Sequence, residues 1–217
     1  MTTIITICSP KGGTGKTTIT ENLLVLFQQA GRRVLGVDFD PQQTLLKWQA
    51  RRQANPGAMQ VECAEARLSD WQAVLDHARQ YDVAIFDLPP GMDDHILAVS
   101  ELCRASSIVL VPSAMKLADI DSVGPWAATL DSQNIPNALV MNHANPRERF
   151  FKEARAELNK LGTLCPIEIR NLADAHQHVI DGLTASDRPK TASAADFRQV
   201  YEFVCKQLKI ADKESRT

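Results

Sequence analysis

Residues 9–18, Ser-Pro-Lys-Gly-Gly-Thr-Gly-Lys-Thr-Thr, constrain this chain more than any other stretch. A β-rich run precedes them, Thr3-Ile4-Ile5-Thr6-Ile7-Cys8. A helical pattern follows, with Ile19, Leu23, Leu26 and Phe27 on one face. Strand, glycine-rich turn and helix start together form a setting in which backbone wraps a phosphate chain. Gly12, Gly13 and Gly15 let successive N–H groups turn inward, and the helix start adds partial positive charge. Lys16 would reach the β- and γ-phosphates of a nucleotide, and the Thr17 hydroxyl would ligate Mg²⁺. Thr14 and Thr18 complete the cradle. The widespread form of this loop, G-x-x-x-x-G-K-[ST], needs glycine at position 10. This chain has Pro10 there, followed by Lys11-Gly12-Gly13. The stretch implies a nucleoside-triphosphate site.

With 217 residues the chain can build one α/β domain with a large core. No repeat or long linker divides it, so residues 1–209 read as a single domain and 210–217 as a polar tail. The net charge of −2 gives no general attraction to polyanions, so nucleic-acid contact would need a local patch. Cys8, Cys63, Cys103, Cys165 and Cys205 are scattered and form no C-x-x-C pair, which argues against zinc or cluster sites. The start, Met1-Thr2-Thr3, leads straight into the first strand without a basic leader. No apolar run approaches the roughly 18 residues of a membrane span. The expected location is cytoplasmic.

Strand and helix patterns alternate along the chain. Arg33–Asp38, Met59–Cys63, Asp82–Asp87, Ser107–Val111, Asn137–Met141 and a short run near Ile167 read as strands. Helices are expected from Thr44 to Arg52, Leu68–Arg79, Asp93–Arg104, Ala118–Ser132, Arg147–Leu161, Ala173–Gly182 and Ala192–Leu208. Continuous apolar strands between helices imply an α/β fold: a mostly parallel, doubly wound sheet with helices on both faces. Chemistry in such a sheet collects at the carboxyl ends of the strands. Those ends carry Pro10-Lys11-Gly12, Asp38-Phe39-Asp40-Pro41-Gln42, Asp87-Leu88-Pro89-Pro90-Gly91, Val111-Pro112-Ser113 and Met141-Asn142-His143.

Each rim residue has a functional and a bland reading. Asp87 closes an apolar strand where a carboxylate would hold Mg²⁺ opposite Thr17, or it caps the next helix. Gly91 would let the backbone sense a γ-phosphate. Asp40, with Asp38 behind it, would orient an attacking water, unless both only shape a turn before Thr44. Lys11 is not needed to bind phosphate within its own subunit. It is either a solvated loop lysine or a cation offered to a partner's nucleotide. Asn142 would read a base edge through its amide, or shape a turn. His143 reads as structural, and His176 and His178 do not share a helix face, so no metal site is expected there. Arg147, Arg149, Lys152, Arg155, Lys160, Arg170, Arg188 and Lys190 would make a DNA phosphate patch, although Glu148, Glu153 and Glu157 interleave with them.

Lys11-Gly12-Gly13-Thr14-Gly15-Lys16-Thr17 resembles the deviant Walker A loop of the ParA/MinD family of ATPases. Asp38-Phe39-Asp40-Pro41-Gln42 resembles the family's second motif, and Ala84-Ile85-Phe86-Asp87-Leu88-Pro89-Pro90-Gly91 its Walker B segment. Val109–Pro112 and Asp119 resemble a further segment, and Asn142 sits where an adenine contact is expected. The resemblance covers about residues 3–205 and comes closest to small ParA plasmid-partition proteins without a helix-turn-helix domain. It implies a weak ATPase whose ATP-bound homodimer sandwiches the nucleotides, with Lys11 crossing to the other subunit. It also implies sequence-independent DNA binding by the ATP form, nucleoid association, and hydrolysis stimulated by a centromere-binding partner. Assemblies beyond the dimer are described for the branch. An accessory ATPase of conjugative DNA transfer, for which Lys47-Trp48-Gln49 would not be out of place, is one alternative. A MinD-like surface switch is another, but Phe197, Val200, Val204 and Leu208 read as core packing rather than a membrane anchor. A dethiobiotin-synthetase-like ligase and a binding module without hydrolysis are disfavoured by Lys11 and Asp40.

Overall fold

Short apolar runs become the strands of one sheet in the computed structural model, which describes residues 2–91, 95–175, 177 and 179–211. The strands are β1 (Thr3–Ile7), β2 (Val34–Asp38), β3 (Glu62–Glu65), β4 (Val83–Asp87), β5 (Ile108–Ser113) and β6 (Asn137–Met141). Their order is β3-β2-β4-β1-β5-β6, and every pairing is parallel. Parallel neighbours need crossovers, and the helices supply them: α1 (Lys16–Gln29), α2 (Thr44–Gln53), α3 (Trp71–Ala78), α4 (Ile96–Ala105), α5 (Leu117–Ser132), α6 (Phe151–Lys160) and α7 (Ala192–Leu208).

Alternate strand residues feed two cores. Ile5, Ile7, Ile85, Leu110 and Val140 pack under α1, α2 and α7. Val37, Phe86, Val109, Val111 and Met141 pack under α3, α4, α5 and α6. Burial on both faces explains why the strands read as continuous apolar runs rather than alternating ones. α1 is the most enclosed helix, with Ile19, Leu23, Leu24, Val25 and Phe27 all fully buried. At about 1.5–3 kcal/mol per side chain, that burial anchors the helix start that faces the phosphate loop.

Several expected elements differ. Expected at Met59–Cys63, the third strand is Glu62–Glu65, because its register is set by pairing Leu35 with Glu62 rather than by its own weak apolar pattern. The run from Leu68 begins as one 3₁₀ turn and becomes α3 only at Trp71. Asp93, the expected start of a helix, lies outside the described residues, and α4 is described from Ile96. Helix α6 starts at Phe151, because Asn145 takes the Arg147 N–H on Oδ1 and donates Nδ2 to Glu148, folding 145–148 into a turn. No strand forms at Ile167; two isolated bridges, Leu139 with Leu164 and Ala144 with Arg170, carry that segment. In place of a helix over 173–182 stand two 3₁₀ turns, Ala173–Ala175 and Val179–Asp181. His176 and His178 lie outside the described residues. Strand β5 continues through Pro112, which is tolerated because pairing with β1 has already ended at Leu110.

Candidate functional site

Register brings the rim together. Ile7 pairs with Asp87 and Asp38 pairs with Asp87, so three strands end level and their loops open side by side. From β1 the chain passes through Ser9–Gly15 into α1. Gly15 is left-handed at φ 87°, and a Cβ there would lie 2.0 Å from the Asn142 amide nitrogen. No side chain caps α1, and its first turn holds no acid. Its first backbone bond runs from Ile19 N–H to the Gly15 carbonyl, so the N–H groups of Lys16, Thr17 and Thr18 precede the ladder. Such a helix start favours an anion.

Lys16 is 7% exposed, and its ammonium donates to the Lys11 carbonyl at 3.3 Å. Burial lowers its pKa, while Asp87, Cys8 and Asp40 act in the opposite direction. Gly12 lies against Pro90, and the Gly91 N–H donates to the Pro10 carbonyl at 3.1 Å, tying the loop after β4 to the phosphate loop. Thr17 Oγ1 donates to Asp87 Oδ2 at 2.6 Å. The other Asp87 oxygen, Oδ1, is buried and has no hydrogen-bond partner. Burial, with Asp38 and Asp40 adding to it, pushes the Asp87 carboxyl up to about 7 despite the Thr17 hydrogen bond and Lys16. A buried carboxylate oxygen without a partner, beside a hydroxyl, suits a hard divalent cation, and Thr17 with Asp87 would hold Mg²⁺.

Asp38 and Asp40 divide in their surroundings. Asp38 is 1% exposed and uses both oxygens on backbone: Oδ1 accepts from Asp40 N–H, and Oδ2 accepts from Leu45 and Leu46 N–H at the start of α2. Burial raises its pKa against those hydrogen bonds. Asp40 is half-buried, accepts the Gln42 N–H on Oδ1, and lines a cleft of about 720 Å³ together with Phe39, Pro89 and Pro90.

Asn142 and Lys11 both make contacts within the chain that link distant segments. Asn142 is buried and donates through Nδ2 to the Thr14 carbonyl at 2.7 Å, which ties it to the phosphate loop. Lys11, 38% exposed, donates to the Ala118 carbonyl and lies 3.5 Å from an Asp119 oxygen at the start of α5. Both contacts span more than a hundred residues, and no local pattern announces them. Trp48 is fully buried in the core beneath Arg52. Of the basic residues, Arg155 pairs with Glu168, Lys160 with Glu157 and Arg170 with Asp196. Arg147, Arg149, Lys152, Arg188 and Lys190 are exposed. Among the described residues no helix is long and apolar enough to cross a membrane, and no group of three or more His, Cys, Asp or Glu side chains is placed to hold a metal ion.

Comparison with known proteins agrees with this geometry. The chain is 27% identical over 192 residues to maintenance of carboxysome distribution protein A of Halothiobacillus neapolitanus, covering 83% of this chain and 85% of that protein. It is 29% identical over 172 residues to protein virC1 of Rhizobium rhizogenes, covering 74% and 72%. Among solved structures, the septum site-determining protein MinD of Pyrococcus horikoshii complexed with Mg-ADP superposes with a TM-score of 0.75 at 19% identity, over 95% of this chain and 97% of that one. A putative plasmid partition protein of Borrelia burgdorferi bound to AMPPNP gives the same TM-score at 16% identity, over 95% and 100%. The model of the CobQ/CobB/MinD/ParA nucleotide binding domain matches residues 5–183, so the chain belongs to this family as a ParA/MinD-type nucleotide-binding ATPase.

Proposed function

We propose that this ATPase is a switch: it pairs with a second copy around ATP, holds DNA without sequence preference in that state, and lets go when a centromere-binding partner speeds hydrolysis. Repetition of the cycle would move a plasmid or other DNA cargo. The observation that carries the reading is Lys11. It is a second cation on the phosphate loop, 38% exposed, whose ammonium contacts Ala118 and Asp119 at the exposed start of α5 rather than a phosphate-site group. Residues 1–209 act as one domain in this reading, with 210–217 as its tail. The names of the Borrelia burgdorferi and Halothiobacillus neapolitanus proteins support a role in distributing cargo. The second of these keeps open a cargo other than a plasmid.

In the reaction, Gly12–Thr18 and Lys16 hold the phosphate chain through N–H groups and an ammonium. Mg²⁺, when bound by Thr17 and Asp87, would supply charge neutralisation at the β- and γ-phosphates. Asp40 orients water for in-line attack, and Asp38 fixes Asp40 through its backbone. Lys11 of the second copy adds positive charge as the γ-phosphate departs, a stabilisation specific to the transition state. Asn142 supports the loop from behind.

The test is binding to non-specific duplex DNA with ATP, with ADP and without nucleotide, at two salt concentrations. Binding only with ATP, weakened by salt, is the expected result. Equal binding in all three states, or none in any, would remove DNA from the cycle and leave the phosphate site untouched.

A further inference from the structure

Arg52 is a buried guanidinium far along α2 from the phosphate rim. It is fully enclosed, and four of its N–H groups are directed at acceptors. Nε donates to the Met59 carbonyl at 2.6 Å. Nη1 donates to the Gly182 carbonyl at 3.0 Å and to Asp187 Oδ2 at 2.9 Å, and Nη2 donates to Asp187 Oδ1 at 2.7 Å. The guanidinium also stands 5.3 Å from the Trp48 ring. Gly182, at φ 68°, presses its backbone so close that a Cβ there would meet Arg52 N at 2.2 Å. Arg51 and Asn55 donate to the Val179 and Asp181 carbonyls, so the whole 179–187 segment is bound to α2.

The same segment is bound to α1. Asn22 Oδ1 accepts from both the N–H and the hydroxyl of Ser186, and Asn22 Nδ2 donates to the Thr18 carbonyl in the first turn after the phosphate loop. At its other end α2 begins on Asp38, whose carboxylate takes the Leu45, Leu46 and Asp40 N–H groups. A continuous polar chain therefore runs from Thr18 through Asn22, Ser186, Asp187 and Arg52 along α2 to Asp38 and Asp40. α2 is thus fixed by hydrogen bonds at both ends, to Asp38 at its start and to Asp187 near its end.

We infer that Arg52, through its bidentate pair with Asp187, is a positioning residue for hydrolysis: it sets where the Asp38–Gln42 loop stands relative to the phosphate loop. This rests on the reading of Asp40 as the residue that orients water. Displacing such a carboxylate by an ångström lowers turnover without weakening nucleotide binding, because the phosphate loop is held by Gly91 and Asn142 hydrogen bonds that do not pass through Arg52.

The experiment compares the full chain with Arg52→Lys and Asp187→Asn, which keep a polar group but lose the two-pronged pair. Asp187→Glu, which keeps the charge, serves as the mildest variant. Turnover, affinity for a fluorescent ATP analogue and amide hydrogen exchange are read together. The expected result is turnover down about ten- to a hundred-fold with affinity within about two-fold. Exchange should rise at the amides of Asp40, Gln42, Leu45 and Leu46, with β1 and β4 unchanged. Unchanged exchange in this loop, or exchange and affinity lost alike across the molecule, would overturn the inference. Asp40→Ala is measured beside them. Normal turnover in that variant would remove Asp40 from the chemistry, while the exchange pattern still decides whether Arg52 positions the loop.

Discussion

Glu21 is the sole acid of α1, and it points into the protein. Burial, with Asp87 and Asp38 adding to it against Arg51 and Arg52, pushes its carboxyl from 4.5 up to about 8. In the unfolded chain the group loses its proton first. Stability therefore falls as pH rises from 4.5 toward 8 and is unaffected by this group above that. Glu21→Gln removes the cost. It should raise unfolding free energy by about 4 kcal/mol at pH 8 and by little at pH 5, as denaturant melts at the two values would show. An equal gain at both would mean that the glutamate is ionised throughout. A second residue-scale prediction concerns Gly15. Gly15→Ala puts a methyl group into the Asn142 amide at a left-handed position. Nucleotide affinity should drop at least about ten-fold in a calorimetric titration, the consequence of a loop forced off its N–H geometry. Near-normal affinity would show that Asn142 can retreat without the loop noticing.

At the scale of elements, what could be read in advance followed how local the cause was. Strands β1, β2, β4 and β6 were legible to within a residue or two, because burial on both faces leaves a continuous apolar run. Helix α7 was legible from its own periodicity, with Thr191 capping it by accepting the Ala194 N–H. The phosphate loop was legible because Gly12, Gly13 and Gly15 and the helix start are neighbours in sequence. β3 was misplaced because an exposed edge strand takes its register from its partner. The segment after β6 was misread because its hydrogen bonds go to α1, α2 and α7: Ser186 to Asn22, Asp187 to Arg52 and Arg170 to Asp196. The same distance hid the Asn142 and Lys11 contacts, whose partners no spacing rule connects.

At the scale of the whole molecule, the proposed contacts of Lys11 with a second copy and of the exposed basic side chains with DNA can be tested separately. Lys11→Ala should keep nucleotide binding while losing ATP-dependent dimerisation and most turnover, as light scattering and phosphate release would report. A normal dimer from that variant would confine Lys11 to its contact with Asp119. Replacing Arg147, Arg149 and Lys152 with alanine should weaken DNA binding evenly across sequences and reduce its salt slope by about one per phosphate contact removed. An unchanged slope would move the search to Arg188 and Lys190. The sheet order has one more consequence, which belongs to the ribosome rather than to the finished protein. β1 is the first strand made, yet it lies between β4 and β5. Neither neighbour exists until the chain has grown past Val83 and then Ile108. At roughly 5–20 residues per second, this apolar strand waits about 4–16 s for its first partner. Through that interval its backbone donors and acceptors stay unpaired along both sides, an open edge of the kind that invites pairing with another chain.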